Sequence, residues 1–480
     1  MMTNTDALLK GLNPYAMAQQ PQCTNVYGII FPLLTWPLVK LLGHTLIIHR
    51  LVTGFSILAS CALVSFVLKK MKIPFLLNIW ASLMLYSSLL YPGTSTPCID
   101  PAATGLFFLL ATIFVPWFCK YSYKSLFISA LCGIFALYSK QYTVLGVIVM
   151  ATYLFLFVSK IKGFFYGFLW LLLLFISALA ANLTLPAYFN NCFFSILTMN
   201  PAWSSMERLH VQIVMYRALH KWTLILMGIF TLAYGFKMIS EYFGADIKSR
   251  IKKIIFCLNI INIKEPLIRL SVPLGLYAGL WSASVLYLSL GRHGGAMLWY
   301  FFQLLSPFLL IGAVWLFSRY AFWPIICVPF LILNLYTITA DQDGKYFNKN
   351  TQGWPEISLL VSQHRHILNS PIIAPMLIEQ NKEVFDNGET EYFLEGSQLS
   401  PLIKIFFKED PRVFLQLLLF FENIKDMIQN KKFDLILLQP SLLPMGVGEQ
   451  IKKYYKFEGE FMVYAPQDRR PYAITVWIPL

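Results

Sequence analysis

The sequence predicts a mainly α-helical polytopic membrane protein, in which residues 1–340 form a bundle of about ten spans and residues 341–480 form a small extracytoplasmic α/β domain. The composition is 57% hydrophobic and only 13% charged, with a mean hydropathy of +0.60, which is too apolar for a chain dissolved in water. The first 340 residues carry 23 Lys or Arg against six Asp or Glu, whereas the remainder carries 15 against 18. The positive charge therefore belongs to the membrane part, and the tail has the balance of a soluble domain.

Apolar runs long enough to cross or nearly cross a bilayer define the predicted spans. We place them at 47–68, 74–91, 101–118, 125–138, 143–159, 163–185, 222–236, 270–290, 297–318 and 321–338. The apolar run 26–42 is interrupted by Pro32 and Pro37, which favours an interfacial or re-entrant segment over a span.

The basic residues predict the orientation of these spans, because Lys and Arg collect in cytoplasmic loops. Alternate loops hold 15 of the 23, namely Lys69, Lys70, Lys72, Lys120, Lys124, Lys160, Lys162, Arg319 and the seven between Lys237 and Arg269. The other loops and the tail are then extracytoplasmic, as is the N-terminus. We expect a first transmembrane helix to be missing upstream of Met1, and an unusual N-out insertion is the alternative. The charge sets topology, and no nucleic acid partner is expected.

The tail has the patterning of a small α/β domain. FDLILLQ at 433–439 and AITVWI at 473–478 suit buried strands, whereas 355–369 and 411–430 have helical spacing. His364 and His366 alternate on the first predicted helix and are expected to be solvated, so no metal site is predicted. We expect no cofactor, with a divalent cation left open.

Acidic residues are scarce in the membrane part, so each can be weighed individually. Of the six, Glu241, Asp246 and Glu265 fall in a predicted cytoplasmic loop, which leaves Asp6, Asp100 and Glu207 outside. Asp100 stands where a polar loop meets the apolar run that starts at Pro101. A carboxylate at the membrane edge is a candidate functional group, although an ordinary loop residue before a helix start is the plainer interpretation.

Four stretches then resemble bacterial membrane glycosyltransferases of the GT-C superfamily, in the dolichyl-phosphate-mannose mannosyltransferase-like and ArnT-like group. They are GLNPYAMAQQPQCTNVYGIIFPLLTWPLVKLLGHTLIIHR (11–50), IDPAATGLFFLLA (99–111), ALYSKQYTVLG (136–146) and LGRHGGAMLWYFFQLLSPFLL (290–310). They carry, in the order typical of the superfamily, a G-x-N-P-Y loop, an Asp of the second loop, a K-Q turn and a Tyr-bearing helix. The resemblance covers most of residues 1–340.

The resemblance implies an inverting transfer of a sugar from a polyprenyl-phosphate carrier to an extracytoplasmic glycan, lipid or protein, in the bacterial inner membrane. A carboxylate would act as general base on the acceptor hydroxyl, and cations would stabilise the departing phosphate. Asp100 and Asp6 are the catalytic candidates, and Asp6 stands only five residues before Gly11. If the base were lost with a missing first helix, the chain would be inactive. The substrate-binding candidates are Tyr27, Lys140, Gln141, Arg292, His293 and Tyr300.

Two other classes of protein stay open. A lipid-linked oligosaccharide polymerase or ligase would also use outward cations around a polyprenyl phosphate, but is expected to carry a large mid-chain periplasmic loop. A secondary transporter would predict internal repeats with broken helices in corresponding positions. The long outward tail disfavours the transporter.

Overall fold

The computed structural model describes the helical bundle and most of the sheet domain. The described residues are 2–15, 27–90, 101–186, 188–189, 192, 214, 217, 220–233, 235–236, 239, 274–281, 300–319, 325, 327–330, 332–333, 336, 352–385, 419, 422–439, 446–464 and 471–480.

The membrane part is built from consecutive helices, and those after residue 45 overlap the predicted spans. In chain order they are α1 (Met2–Leu9), α2 (Ile30–Leu42), α3 (Leu46–Lys70), α4 (Phe75–Leu90), α5 (Pro101–Phe118), α6 (Tyr123–Leu137), α7 (Leu145–Tyr153) and α8 (Lys160–Thr184), followed by His220–Ala233, 274–281 and Tyr300–Phe317. A 3₁₀ turn, Gln141–Val144, precedes α7, and a π turn, Leu154–Val158, follows it. The predicted spans 270–290 and 321–338 lie only partly within the described residues.

Helix length separates the spanning helices from the shorter ones. Among the described residues, four helices are long and apolar enough to cross a membrane: Leu46–Lys70, Pro101–Phe118, Gln141–Val158 and Lys160–Thr184. The 25 residues of α3 extend for roughly 37 Å, which exceeds the hydrocarbon thickness of a bilayer. The 13 residues of α2 reach only roughly 20 Å, as expected for an interfacial or re-entrant segment.

The bundle core is aromatic and closely packed. The ring of Phe317 lies against that of Trp80, and its centroid is 5.0 Å from the centroid of the Phe230 ring. These three side chains belong to one buried cluster. Its members come from the five helices α3 through α7 and from the later helices His220–Ala233, 274–281 and Tyr300–Phe317. By contrast, most side chains of α8 are not buried by the described residues, and Phe164, Phe168 and Phe175 are exposed along it. Because such a helix is stable only against an apolar solvent, α8 faces lipid.

Within its described residues, the tail contains a mixed four-stranded sheet packed against helices, as predicted for a small α/β fold. The strands are β1 (Ile367–Asn369), β2 (Leu435–Leu438), β3 (Tyr455–Tyr464) and β4 (Pro471–Pro479). β1 and β2 are parallel, whereas β4 pairs antiparallel with both β2 and β3.

The central strand β2 is buried on both faces, which explains its continuous apolar sequence. Leu435 and Leu437 pack against the helices Trp354–Gln363 and Ala374–Glu379, while Ile436 and Leu438 pack against 422–429 and Val447–Tyr454.

One helix of the tail is shorter than its sequence pattern predicts. Helical spacing continues to Asn369, but the helix ends at Gln363, and 367–369 form β1. The Asp434 carboxylate accepts hydrogen bonds from the backbone N–H groups of Arg365 (2.7 Å) and His366 (2.8 Å), which fixes the chain beside β2. His364 and His366 are therefore not on a helix. His366 is exposed, and His364 is half-buried.

The N-terminal helix connects the two parts of the fold. Met2 is buried in the same apolar cluster as Ile367, Leu377 and Ile474 of the sheet domain. On the membrane side, the Oγ1 atom of Thr5 lies 2.9 Å from that of Thr35 in α2. The backbone N–H of Leu46 donates to Glu379 Oε1 at 2.8 Å. The start of α3 and the sheet domain therefore share direct contacts.

Candidate functional site

The G-x-N-P-Y loop is fixed by its own side chains. Asn13 Oδ1 accepts a hydrogen bond from the backbone N–H of Tyr15 at 3.0 Å, and Asn13 Nδ2 donates to the Pro186 carbonyl at 2.9 Å. Tyr15 is completely buried, and its hydroxyl donates to the Tyr27 carbonyl at 3.0 Å. The loop is therefore hydrogen-bonded both to the backbone of Tyr27 and to the backbone just after α8.

The backbone beside Tyr27 passes very close to the end of α6. A Cβ atom at Gly28 would lie 1.9 Å from the Tyr138 carbonyl oxygen, a distance that no side chain tolerates. The approach allows the backbone N–H of Ile30 to donate to this same oxygen at 3.1 Å. Glycine is required here because only a residue without Cβ permits such contact.

The K-Q turn between α6 and α7 is held by backbone hydrogen bonds. The Lys140 N–H donates to the Ala136 carbonyl at 3.0 Å, and the Thr143 hydroxyl donates to the Lys140 carbonyl at 2.6 Å. A Cβ atom at Gly105, in the second turn of α5, would lie 3.4 Å from the Cβ atom of Lys140. The small residue lets the first half of α5 pack directly on the turn.

The structure brings Tyr27, Lys140 and Gln141 together. The Lys140 Nζ atom lies 4.0 Å from the centroid of the Tyr27 ring, and Lys140 is only 7% exposed. The Gln141 Nε2 atom donates to the Cys192 carbonyl at 2.6 Å, and the Cys192 thiol donates to the Tyr27 carbonyl at 3.3 Å. Three segments distant in the sequence thus converge on one buried cation, which is costly in a membrane protein and marks a candidate functional site.

Tyr15 and Cys192 were not singled out by sequence reasoning. Tyr15 stands in the G-x-N-P-Y motif, so the motif is the signal that could have identified it. Cys192 carries no such signal, because the two hydrogen bonds that connect it to the site are with residues 51 and 165 positions away in the chain. Its closeness to Tyr27 depends entirely on tertiary packing.

Asp6 lies on α1 in a separate group of contacts. Its Oδ2 atom is 2.6 Å from Lys10 Nζ, and its Oδ1 atom is 3.8 Å from His44 Nδ1. Burial lowers the pKa of His44, and the nearby carboxylate of Asp6 opposes that change. The role of Asp6 as a base stays a prediction.

Other candidate residues lie outside the described residues. These are Asp100, Arg292 and His293; Tyr300 begins the helix Tyr300–Phe317, but its side chain is also outside the description. α5 begins at Pro101, the residue after Asp100, and Pro101, Ala102 and Ala103 are buried. Within the described ranges, no group of three or more His, Cys, Asp or Glu comes together as a metal site would require.

Comparisons with known proteins identify the fold. No family model and no curated protein matches the chain. Two solved structures of ArnT from Cupriavidus metallidurans are similar over 99% of this chain and 92% of theirs, both at 11% identity. The TM-score is 0.54 for the apo state and 0.49 for the structure described as bound to undecaprenyl phosphate. The resemblance seen in the sequence is confirmed at the level of architecture: the chain has the polytopic fold of ArnT.

Proposed function

We propose that the protein is a membrane glycosyltransferase that moves a sugar from a polyprenyl-phosphate carrier to an acceptor hydroxyl. The observation that carries the proposal is the buried ammonium group of Lys140, 4.0 Å from the Tyr27 ring centroid in a turn packed against α5. A buried cation at the edge of a lipid-facing bundle suits a phosphate group carried by a lipid. The fold shared with ArnT supports the proposal at the level of architecture.

Lys140 is the residue that we assign to the donor phosphate. Contact between an ammonium and an aromatic ring contributes about 0.5–2 kcal/mol. A hydrogen bond that involves a charged group contributes about 1.5–3 kcal/mol. We infer that a phosphate oxygen forms the stronger contact with Lys140, and that the Tyr27 ring helps to hold the ammonium in position before the donor binds. Gln141, Arg292, His293 and Tyr300 are the further candidates for donor contacts.

The reaction is a single displacement that inverts the anomeric carbon. The acceptor oxygen forms a bond to this carbon while the bond from the carbon to the phosphate oxygen breaks. The phosphate leaves with the bonding electron pair as polyprenyl phosphate, and its added negative charge is stabilised by Lys140. The proton of the acceptor hydroxyl goes to a carboxylate.

We assign the role of base to Asp100, with Asp6 as the second candidate. The Asp6 carboxylate is already paired with Lys10, whose Nζ atom lies 2.6 Å from its Oδ2 atom. Asp100 directly precedes α5, whose Gly105 packs on the Lys140 turn. We further propose that the enzyme lies in the bacterial inner membrane, with the sheet domain on the extracytoplasmic side and a glycan, lipid or protein as acceptor.

A pair of matched lysine variants tests the proposal. Lys140→Met removes the buried cation, whereas Lys40→Met removes an exposed lysine whose Nζ atom lies 5.6 Å from the Trp36 ring centroid. Membranes with each variant are assayed for transfer from a radiolabelled polyprenyl-phosphate sugar. We expect Lys140→Met to lower kcat/KM for the donor by about tenfold or more, the effect of losing one charged hydrogen bond. Lys40→Met should match the parent chain.

The product distinguishes the alternatives. A single added sugar supports the transferase, whereas transfer of a whole oligosaccharide from a lipid-linked oligosaccharide would favour a polymerase or ligase. Equal donor use by Lys140→Met and the parent chain would contradict the assignment of Lys140.

A further inference from the structure

A second basic site lies at the opposite end of the bundle from the K-Q turn, at the ends of α3 and α5. It is an open cavity of about 700 Å³, and the described residues that line it are Phe66, Lys69, Lys70, Lys72 and Phe118. This volume falls in the range of about 300–1,000 Å³ that is typical of small-ligand sites. Three ammonium groups and two aromatic rings thus share one concave surface.

The third lysine lies in the turn that ends α3. Lys69 and Lys70 end α3, and the chain then turns through Lys72, which has a φ of 59°. The turn is closed by the backbone N–H of Ile73, which donates to the Leu68 carbonyl at 3.1 Å. The turn brings a third cation to the end of α3.

The aromatic residues indicate which kind of anion fits. Phe66 is 61% exposed on the membrane-spanning helix α3, one turn before Lys69 and Lys70. Phe118, the last residue of α5, also lines the cavity. A molecule with a phosphate beside the lysines and an acyl chain beside these rings would satisfy both parts of the surface. Lysines beside a membrane surface attract anionic lipid headgroups.

We propose that this cavity binds the phosphate group of an anionic phospholipid. This site is distinct from the Lys140 cluster, since the two share no residue. Lysines that only set the orientation of the spans would require charge alone. Here the lysines lie in a cavity that also has an apolar wall. Binding of the lipid therefore depends on these particular lysines and on Phe66.

Lipid binding to the purified full chain tests the proposal. Phosphatidylglycerol and phosphatidylcholine are titrated into the protein in detergent, and bound lipid is counted by native mass spectrometry. We expect preferential binding of phosphatidylglycerol to fall by about tenfold or more in Lys69→Gln/Lys70→Gln/Lys72→Gln, since three attractive charges are lost. The control, Lys120→Gln/Lys124→Gln/Lys160→Gln, removes the same charge from exposed lysines in loops predicted to lie on the same face.

Two further measurements separate the sources of phosphate and guard against misfolding. Phe66→Ala should weaken binding of phosphatidylglycerol, whereas Phe75→Ala, at a phenylalanine that is 74% exposed, should not. Inorganic phosphate in large molar excess should leave the lipid bound. Displacement by inorganic phosphate would show a site for free phosphate and overturn the lipid assignment. Equal losses in both triple-lysine variants would show a general charge effect and overturn the site.

Discussion

The Nζ atom of Lys140 lies 4.0 Å from the centroid of the Tyr27 ring, although the two residues are 113 positions apart in the chain. The contact closes a ring of interactions in which Gln141 donates to the Cys192 carbonyl and Cys192 donates to the Tyr27 carbonyl. The side chain of Lys140 is thereby ordered before any substrate arrives. An ordered cation loses little conformational entropy when a phosphate binds.

Removal of the Tyr27 ring should weaken donor binding without abolishing catalysis. Tyr27→Leu loses a contact of about 0.5–2 kcal/mol, so the KM for the polyprenyl-phosphate sugar should rise by roughly two- to thirtyfold. Tyr27→Phe keeps the ring face and should behave like the parent chain. Steady-state transfer at varied donor concentration measures the effect, and an unchanged KM for Tyr27→Leu would contradict the positioning role.

The two carboxylates should differ in importance. Asp100→Asn should lower transfer by roughly a hundredfold or more, the contribution of one general base, while membrane insertion is unchanged. Asp6→Asn should have a much smaller effect, because Asp6 is engaged with Lys10. The assay uses equal amounts of membrane-inserted protein. Near-normal turnover by Asp100→Asn would remove that residue from the site.

Gly28 should tolerate no side chain. Gly28→Ala would place a Cβ atom 1.9 Å from the Tyr138 carbonyl oxygen and force the two segments apart. We expect a loss of stability of about 2 kcal/mol, the cost of overpacking, together with a loss of transfer. Gly54→Ala is the matched control, since nothing lies within 4 Å of a Cβ atom there. Thermal midpoints in detergent give the comparison, and a midpoint unchanged by Gly28→Ala would disprove the close approach.

Acidification should weaken the packing around α1 through His44. Burial lowers the pKa of His44 below its ordinary 6.5, although Asp6 opposes the shift. The unfolded chain therefore binds more protons than the folded chain as the pH falls below this value, and stability decreases with acidification. The thermal midpoint should fall less between about pH 7 and pH 5 in His44→Gln than in the parent chain. His366→Gln changes an exposed residue and serves as the control.

Topology can be measured independently of activity. A reporter fused after Lys253 should lie in the cytoplasm, and one fused after Lys349 should lie outside, as the uneven distribution of Lys and Arg predicts. Two reporters are used, one active only in the cytoplasm and one active only outside, so that each position is identified by a signal and not by its absence. Detection of the two positions on the same side would require a different set of spans.

The parts of the structure that sequence reasoning predicted are those with a local signal. The helices follow apolar runs, and the K-Q motif marks a turn in which Lys140 is buried beside Tyr27. The end of the helix at Gln363 was missed because it depends on Asp434, which accepts hydrogen bonds from the backbone of Arg365 and His366, 69 and 68 positions away. Helical spacing depends only on which residues are apolar. It gives no information about hydrogen bonds between the backbone and a carboxylate that is distant in the sequence.

The burial of Met2 among Ile367, Leu377 and Ile474 has a topological consequence. Two segments that share an aqueous-side core must be on the same face of the bilayer, so the chain crosses the membrane an even number of times between α1 and the sheet domain. Ten crossings meet this condition, whereas nine or eleven do not. An engineered deletion of a single span would strand α1 on the far face of the membrane and leave an empty apolar pocket beside β1.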